Sequence, residues 1–187
     1  SNSVELKIDE NEIISQILYF LKQRVKNIFL EKGIRYDVID AVLAVESGGD
    51  VVDIKNRIEA IEELYNQPIF RKILNSSNRV LNLSKNSEET EIDQSLLKEE
   101  AELNLFHNYE SIYPRIKKFI CNKEYKKIFK LLGGLCEPVD EFFDGVLVMD
   151  KDKNIRKNRI ALIKRIGILF NQVADLSKII SIKEGRK

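Results

Sequence analysis

Arginine is the residue type in this chain that most invites a chemical reading. Arg24, Arg35, Arg57 and Arg79 are the individual candidates, and Arg35 stands beside Tyr36 where a helix is expected to begin. A guanidinium offers a planar fork that bonds a phosphate or a base edge, and it stacks on an unpaired base. The competing reading for each is an ion pair with a neighbouring Asp or Glu. A second lead is a row. Lys157, Lys164, Asn171 and Lys178 recur every seven residues, with Lys153 one turn earlier, on the face opposite an apolar stripe. Such a row either tracks phosphates or solvates a long helix. Phe142 and Phe143 are adjacent, so on a helix they point about 100° apart. One is expected in the core and the other at its edge, packed there or stacked on a nucleobase. Asp144 either accepts from a cytosine amino group or serves an ion pair or helix terminus.

No nucleophile–base set can be assembled. His107 is the only histidine and sits in an ordinary amphipathic segment. Cys121 and Cys136 match no zinc spacing and read as free thiols in a reducing cytosol. Neither Gly48-Gly49 nor Gly133-Gly134 has the context of a phosphate-cradling loop. From the residues alone, the chain is a weak candidate for an enzyme, and no metal site is expected.

The 187 residues suffice for one domain with a proper core. Net charge is only +1, but its distribution is uneven. Residues 151–187 carry eleven Lys and Arg against three acids, and 115–130 carry seven against Glu124. Residues 88–110 carry eight acids against Lys98. No apolar run reaches the roughly 20 residues of a membrane span, and no signal-peptide pattern opens the chain. Ser1-Asn2 resembles a scar of tag removal, leaving 3–187 as the expected domain.

Apolar spacing is helical nearly throughout. Ile14, Ile17, Leu18, Leu21, Val25 and Ile28 form one stripe, ended at Gly33. A short helix through Val38 and Val42 follows, stopped by Gly48-Gly49. Asp50 is placed to cap the next helix, with Asp53 favouring its first turn. Pro68 opens another. Residues 84–93 are polar and aperiodic, which predicts an exposed, mobile, acidic loop. Helices resume near Gln94 with an interruption expected at Pro114. Asp152 caps a last helix whose stripe runs through Ile155, Leu162, Ile166, Leu169, Val173, Leu176 and Ile180. The prediction is an all-α bundle of seven to nine helices.

Two phrases carry a family resemblance. Residues 137–160 contain Glu-Pro-Val-Asp at 137–140, Phe142, Phe143, Asp144, Val146, Val148 and Met149, then Asp152, Arg156, Asn158, Arg159 and Ile160. The earlier phrase has Gly33, then Tyr-Asp-Val-Ile-Asp-Ala-Val-Leu-Ala at 36–44. Together they resemble the C-terminal part of the β subunit of bacterial glycyl-tRNA synthetase, departing from the second phrase only by Ile160 in place of leucine. The resemblance extends from about Phe20 to Ile179. It implies a helical anticodon-binding domain like that of arginyl-type class I synthetases, non-catalytic by itself and cytoplasmic. It implies tRNA-Gly, the catalytic α subunit and the rest of β as partners, with no membrane. ATP and Mg belong to the α subunit, and no cofactor is implied for this chain. Arg24, Arg57 and Arg79 stand where the family tends to have arginine, and Tyr36, Phe143, Arg156 and Arg159 fall on its phrases. With Arg35, Lys157 and Lys164, these are the candidate tRNA contacts. A helical scaffold contacting the α subunit or the rest of β, without RNA, is the alternative. The resemblance assigns no role to the tail after 180, and it implies that the chain is part of a longer β subunit.

Overall fold

The computed structural model describes residues 10–45 and 49–180. Ser1-Asn2, Gly48 and the tail after 180 lie outside the described residues. Those described form eight α-helices and no strand, as the spacing predicts: α1 Glu10–Glu31, α2 Tyr36–Val45, α3 Val51–Leu64, α4 Pro68–Ser84, α5 Glu100–Cys121, α6 Tyr125–Gly133, α7 Cys136–Gly145 and α8 Lys153–Phe170. Short 3-10 turns occur at Gln94–Leu96 and Leu176–Lys178.

Local chemistry sets most boundaries. Gly33 ends α1 at φ +80°, and the next amide, Ile34 N, returns to the Phe29 carbonyl at 3.1 Å. A left-handed residue there favours glycine. The Asp50 side chain accepts from Val52 N and Asp53 N, and that of Asp152 from Asn154 N and Ile155 N. Pro68 occupies the first turn of α4.

α8 is the central helix, with Leu162, Ile163, Ile166, Leu169 and Phe170 all buried. It packs chiefly on α4, and Gly167 permits the close approach. A Cβ there would sit 3.1 Å from Leu81 Cδ2 and 3.3 Å from Val80 Cγ1. Around this pair α5, α6 and α7 complete one core, into which Phe70, Phe129 and Phe142 insert.

Three segments differ from the sequence expectation. α5 runs unbroken through Pro114. Proline deprives the carbonyl four residues back of a donor, but Glu110 and Pro114 both lie on the exposed side of the helix, where that loss is cheapest. The last helix stops at Phe170 instead of continuing to Ile180. Val173, Leu176 and Ile179 are buried against other helices, and Asp175 N donates to the Ala41 carbonyl of α2 at 2.9 Å. The apolar stripe therefore continues in core contacts while the helix does not. Finally, the outer stripe of α1 is exposed. Only Val25 and Phe29 of that helix are buried.

Candidate nucleic-acid interface

The ten candidate contacts separate into residues spent on the fold and residues facing solvent. Arg57 belongs to the fold. Its Nε donates to Asp53 Oδ2 at 2.7 Å, and its Nη1 donates to the carbonyls of Gln172 and Val173 at 2.8 and 2.9 Å. The guanidinium also lies 4.6 Å from the Tyr125 ring centroid, and the Tyr125 hydroxyl donates to Asp53. Burial and that hydrogen bond push the Tyr125 hydroxyl well above its ordinary range. Arg57 thus closes the end of α8 onto α3 and α6.

Arg159 is equally committed. It donates to Glu102 Oε1 at 2.5 Å, to Asp150 Oδ2 at 2.9 Å and to the Leu147 carbonyl at 2.9 Å. Its side chain is 5% exposed and that of Glu102 0%. Burial alone would raise the Glu102 carboxyl. Arg159 and the amides of Lys98 and Glu99 outweigh it, so its pKa falls below the ordinary value. Arg57 and Arg159 thus spend these donors inside the protein, with side chains 12% and 5% exposed.

Arg35 makes a two-pronged bond to Asp37 at 2.9–3.0 Å and stacks on Tyr65 at 4.3 Å. Asp37 in turn accepts from Ile180 N, and the Tyr65 hydroxyl donates to the Ile180 carbonyl. This cluster holds the C-terminal segment against α2. Burial would raise the Asp37 carboxyl, but Arg35 and the amides hold it below its ordinary range. Tyr36 beside it is 56% exposed, so the helices carrying Arg24, Arg57 and Arg79 do not enclose it. Arg24 is exposed on α1.

Arg79 and Phe143 come together. The guanidinium lies 4.6 Å from the ring centroid and bonds Asp140 at 2.7 Å, with Asp144 at 3.7 Å. Phe142 is fully buried and Phe143 half-buried, as the 100° offset requires. α4 supplies the cation and α7 the ring and carboxylates, so a planar cation–aromatic edge with exposed acceptors forms at their junction.

The basic row on α8 is shortened, because Lys178 lies on the separate 3-10 turn. The remainder is crossed by the segment joining α4 to α5. Lys157 pairs with Glu89 at 3.0 Å, and Lys164 donates to the Ser84 carbonyl at 3.4 Å. Arg165 donates to the Thr90 carbonyl, and Asn158 exchanges two bonds with the Asp93 backbone at 2.7 and 3.0 Å. The acidic segment is thus a strap anchored along α8, and Ser84 itself is a buried helical residue. Arg156, half-buried, donates to the Asp150 carbonyl at 3.4 Å.

The individual candidates passed over α5 and α6. Of the seven basic residues in 115–130, Lys123, Lys126 and Lys127 form ion pairs with Asp50, Glu63 and Glu124. Arg115, Lys118 and Lys130 are exposed with no partner among the described residues. Lys117 caps a ladder in which Tyr113 stacks on Tyr109 at 5.4 Å, with the Lys117 amine 4.7 Å above Tyr113. The signal that could have found them was the local excess of charge. By contrast, the open groove of about 820 Å³ between α5 and α7 is lined by Glu99, Glu100 and Glu141, which repel phosphate.

Residues 73–183 match the DALR anticodon binding domain. The chain belongs to this family. The match begins within α4, so α1, α2 and α3 precede it. Curated relatives extend over those helices as well. The glycine–tRNA ligase beta subunit of Clostridioides difficile (strain 630) is 37% identical over 179 residues, 96% of this chain. That of Syntrophomonas wolfei is 34% identical over 95% of the chain, and that of Rickettsia prowazekii 33% over 96%. The DALR chain spans about a quarter of the length of these relatives, 26% in each case. No helix among the described residues is long and apolar enough to cross a membrane.

Proposed function

We propose that this domain binds the anticodon arm of tRNA-Gly as part of a glycine–tRNA ligase β subunit, supporting glycine attachment by a catalytic α subunit that uses ATP and Mg. The DALR match over 73–183 carries this reading, together with the exposed cations Arg115, Lys118 and Lys130. Phosphates of the stem meet Arg115, Lys118 and Lys130, whose charges are not spent elsewhere, and Lys157 and Lys164 where the strap yields. Loop bases meet the Arg79–Phe143 edge, since unpaired bases stack on aromatic and guanidinium planes. Glycine anticodons share two cytosines, and a cytosine amino group donates to a carboxylate such as Asp144, which is 80% exposed in its side chain. The domain supplies recognition by binding and takes no part in bond making. Cytoplasmic localisation follows from the same reading.

Fluorescence anisotropy with tRNA-Gly, and with tRNA-Gly altered at the anticodon cytosines, tests this at several salt concentrations. Arg79→Ala is expected to weaken the cognate tRNA by about 1–3 kcal/mol and to narrow the difference from the altered one. Lys118→Ala is expected to weaken both alike and reduce the salt slope by about one. A domain that binds neither tRNA at low salt would overturn the reading in favour of the scaffold.

A further inference from the structure

The strap between α4 and α5 occupies the cations of α8 with acceptors of its own. Lys157, Lys164 and Arg165 fall within a sector of about 100° on that helix. Lys157 meets the Glu89 carboxylate at 3.0 Å, Lys164 the Ser84 carbonyl at 3.4 Å and Arg165 the Thr90 carbonyl. A carboxylate and two carbonyls give these cations what a phosphate backbone would give them, with less charge. Glu88 and Glu91 add two exposed acids to the same stretch.

The strap is held firmly at its ends and weakly between them. At one end Ser84 is buried, and its hydroxyl donates to the Val80 carbonyl at 2.8 Å. At the other, the buried Asn158 bonds the Asp93 backbone twice, and Leu97 enters the core. Between them, the Lys157 and Glu89 side chains are 66% and 48% exposed, and water screens such a pair. A cavity of about 530 Å³ opens where the strap meets α8, lined by Glu89, Glu91, Asn154 and Lys157 among others. The chain also has slack there. Ser84 sits beside Gly167 and Asp93 beside Asn158, nine residues or about 14 Å apart along α8. Nine residues of extended chain reach about 30 Å. The middle of the strap can therefore lift while both anchors stay closed.

We propose that residues 85–92 are an acidic cover over the α8 cations, displaced when the phosphates of a bound RNA take Lys157 and Arg165. This rests on the tRNA reading above and adds a regulation to it. The strap is a built-in competitor, so RNA engages this face only by outbidding Glu89 and the Thr90 carbonyl for their donors.

Fluorescence anisotropy of the whole chain with tRNA-Gly, at one low salt concentration, tests the proposal. Glu89→Gln removes the competing charge and is expected to tighten binding about two- to fivefold. Glu88→Gln removes the same charge one residue away, where no bond to α8 is made among the described residues, and is expected to change affinity by clearly less. On a Lys157→Ala background the gain from Glu89→Gln is expected to vanish, because strap and phosphate no longer share a donor. A parent chain that binds tRNA while Glu89→Gln binds no more tightly overturns the cover and leaves the tRNA reading standing. So does a gain that Glu88→Gln reproduces or that survives Lys157→Ala, since either reports general repulsion of RNA by acids. A parent chain that binds no tRNA overturns both.

Discussion

Replacing Arg159 by Met tests the assignment of that arginine to the core. Methionine keeps most of the aliphatic volume and removes the charge. The substitution deletes the bonds to Glu102, Asp150 and the Leu147 carbonyl and leaves the Glu102 carboxylate buried. Breaking a buried pair by removing one partner costs about 3–5 kcal/mol. Glu102 still accepts from Lys98 N at 2.8 Å and Glu99 N at 2.9 Å, so the lower end applies, about 3 kcal/mol. For a domain of this size that lowers Tm by about 6–12 °C. Differential scanning calorimetry reads the shift directly. The pH dependence follows from the depressed Glu102 carboxyl. Its folded value lies below the ordinary 4.5. The pair's contribution is therefore fully present above about 4.5 and is lost as pH falls through the folded value. In the variant the lone buried carboxylate prefers a proton, so the gap between parent and variant narrows on acidification. tRNA affinity, measured well below Tm, is expected to stay within about twofold of the parent, because no RNA-facing donor has been removed. A variant that kept the parent's Tm while losing tRNA would refute the burial argument and return Arg159 to the interface.

Three further outcomes follow from particular contacts. Arg57→Met is expected to destabilise by about 2–4 kcal/mol in urea, because two carbonyls at the end of α8 and the Asp53 carboxylate lose their donor. An unchanged midpoint would show that water replaces it. Gly167→Val is expected to cost about 1–3 kcal/mol by thermal unfolding, since even its Cβ meets Leu81 and Val80 at 3.1–3.3 Å. Asn158→Ala removes both bonds to the Asp93 backbone, so Glu-specific protease is expected to cut the strap at Glu88, Glu89 or Glu91 faster than in the parent. Equal rates would mean that Lys157 and Arg165 suffice to hold it.

Sequence alone determined the features that a few neighbouring residues settle. Asp50 and Asp152 reach only the amides two and three residues ahead, Gly33 answers to its own φ, and Pro68 suits a first turn whatever packs upon it. Phe142 and Phe143 divide between core and edge because the helix pitch leaves no other arrangement. The all-α architecture was legible for the same reason, as was the family, whose phrases are local strings. What sequence could not decide was the fate of each charged or apolar side chain that two arrangements would satisfy equally. Arg57 and Arg79 look alike in the chain, yet one meets carbonyls more than a hundred residues away and the other faces solvent over a phenyl ring. Arg159 is withdrawn from the surface by Glu102, fifty-seven positions earlier. The apolar stripe runs past Phe170, but it is α2 that turns the chain there. A stripe on α1 promised a buried face, and of that stripe only Val25 is buried, with Phe29 beside it, because α1 is met from one side only. Periodicity declares which residues prefer to leave water. Only the position of the neighbouring helices decides which of them do.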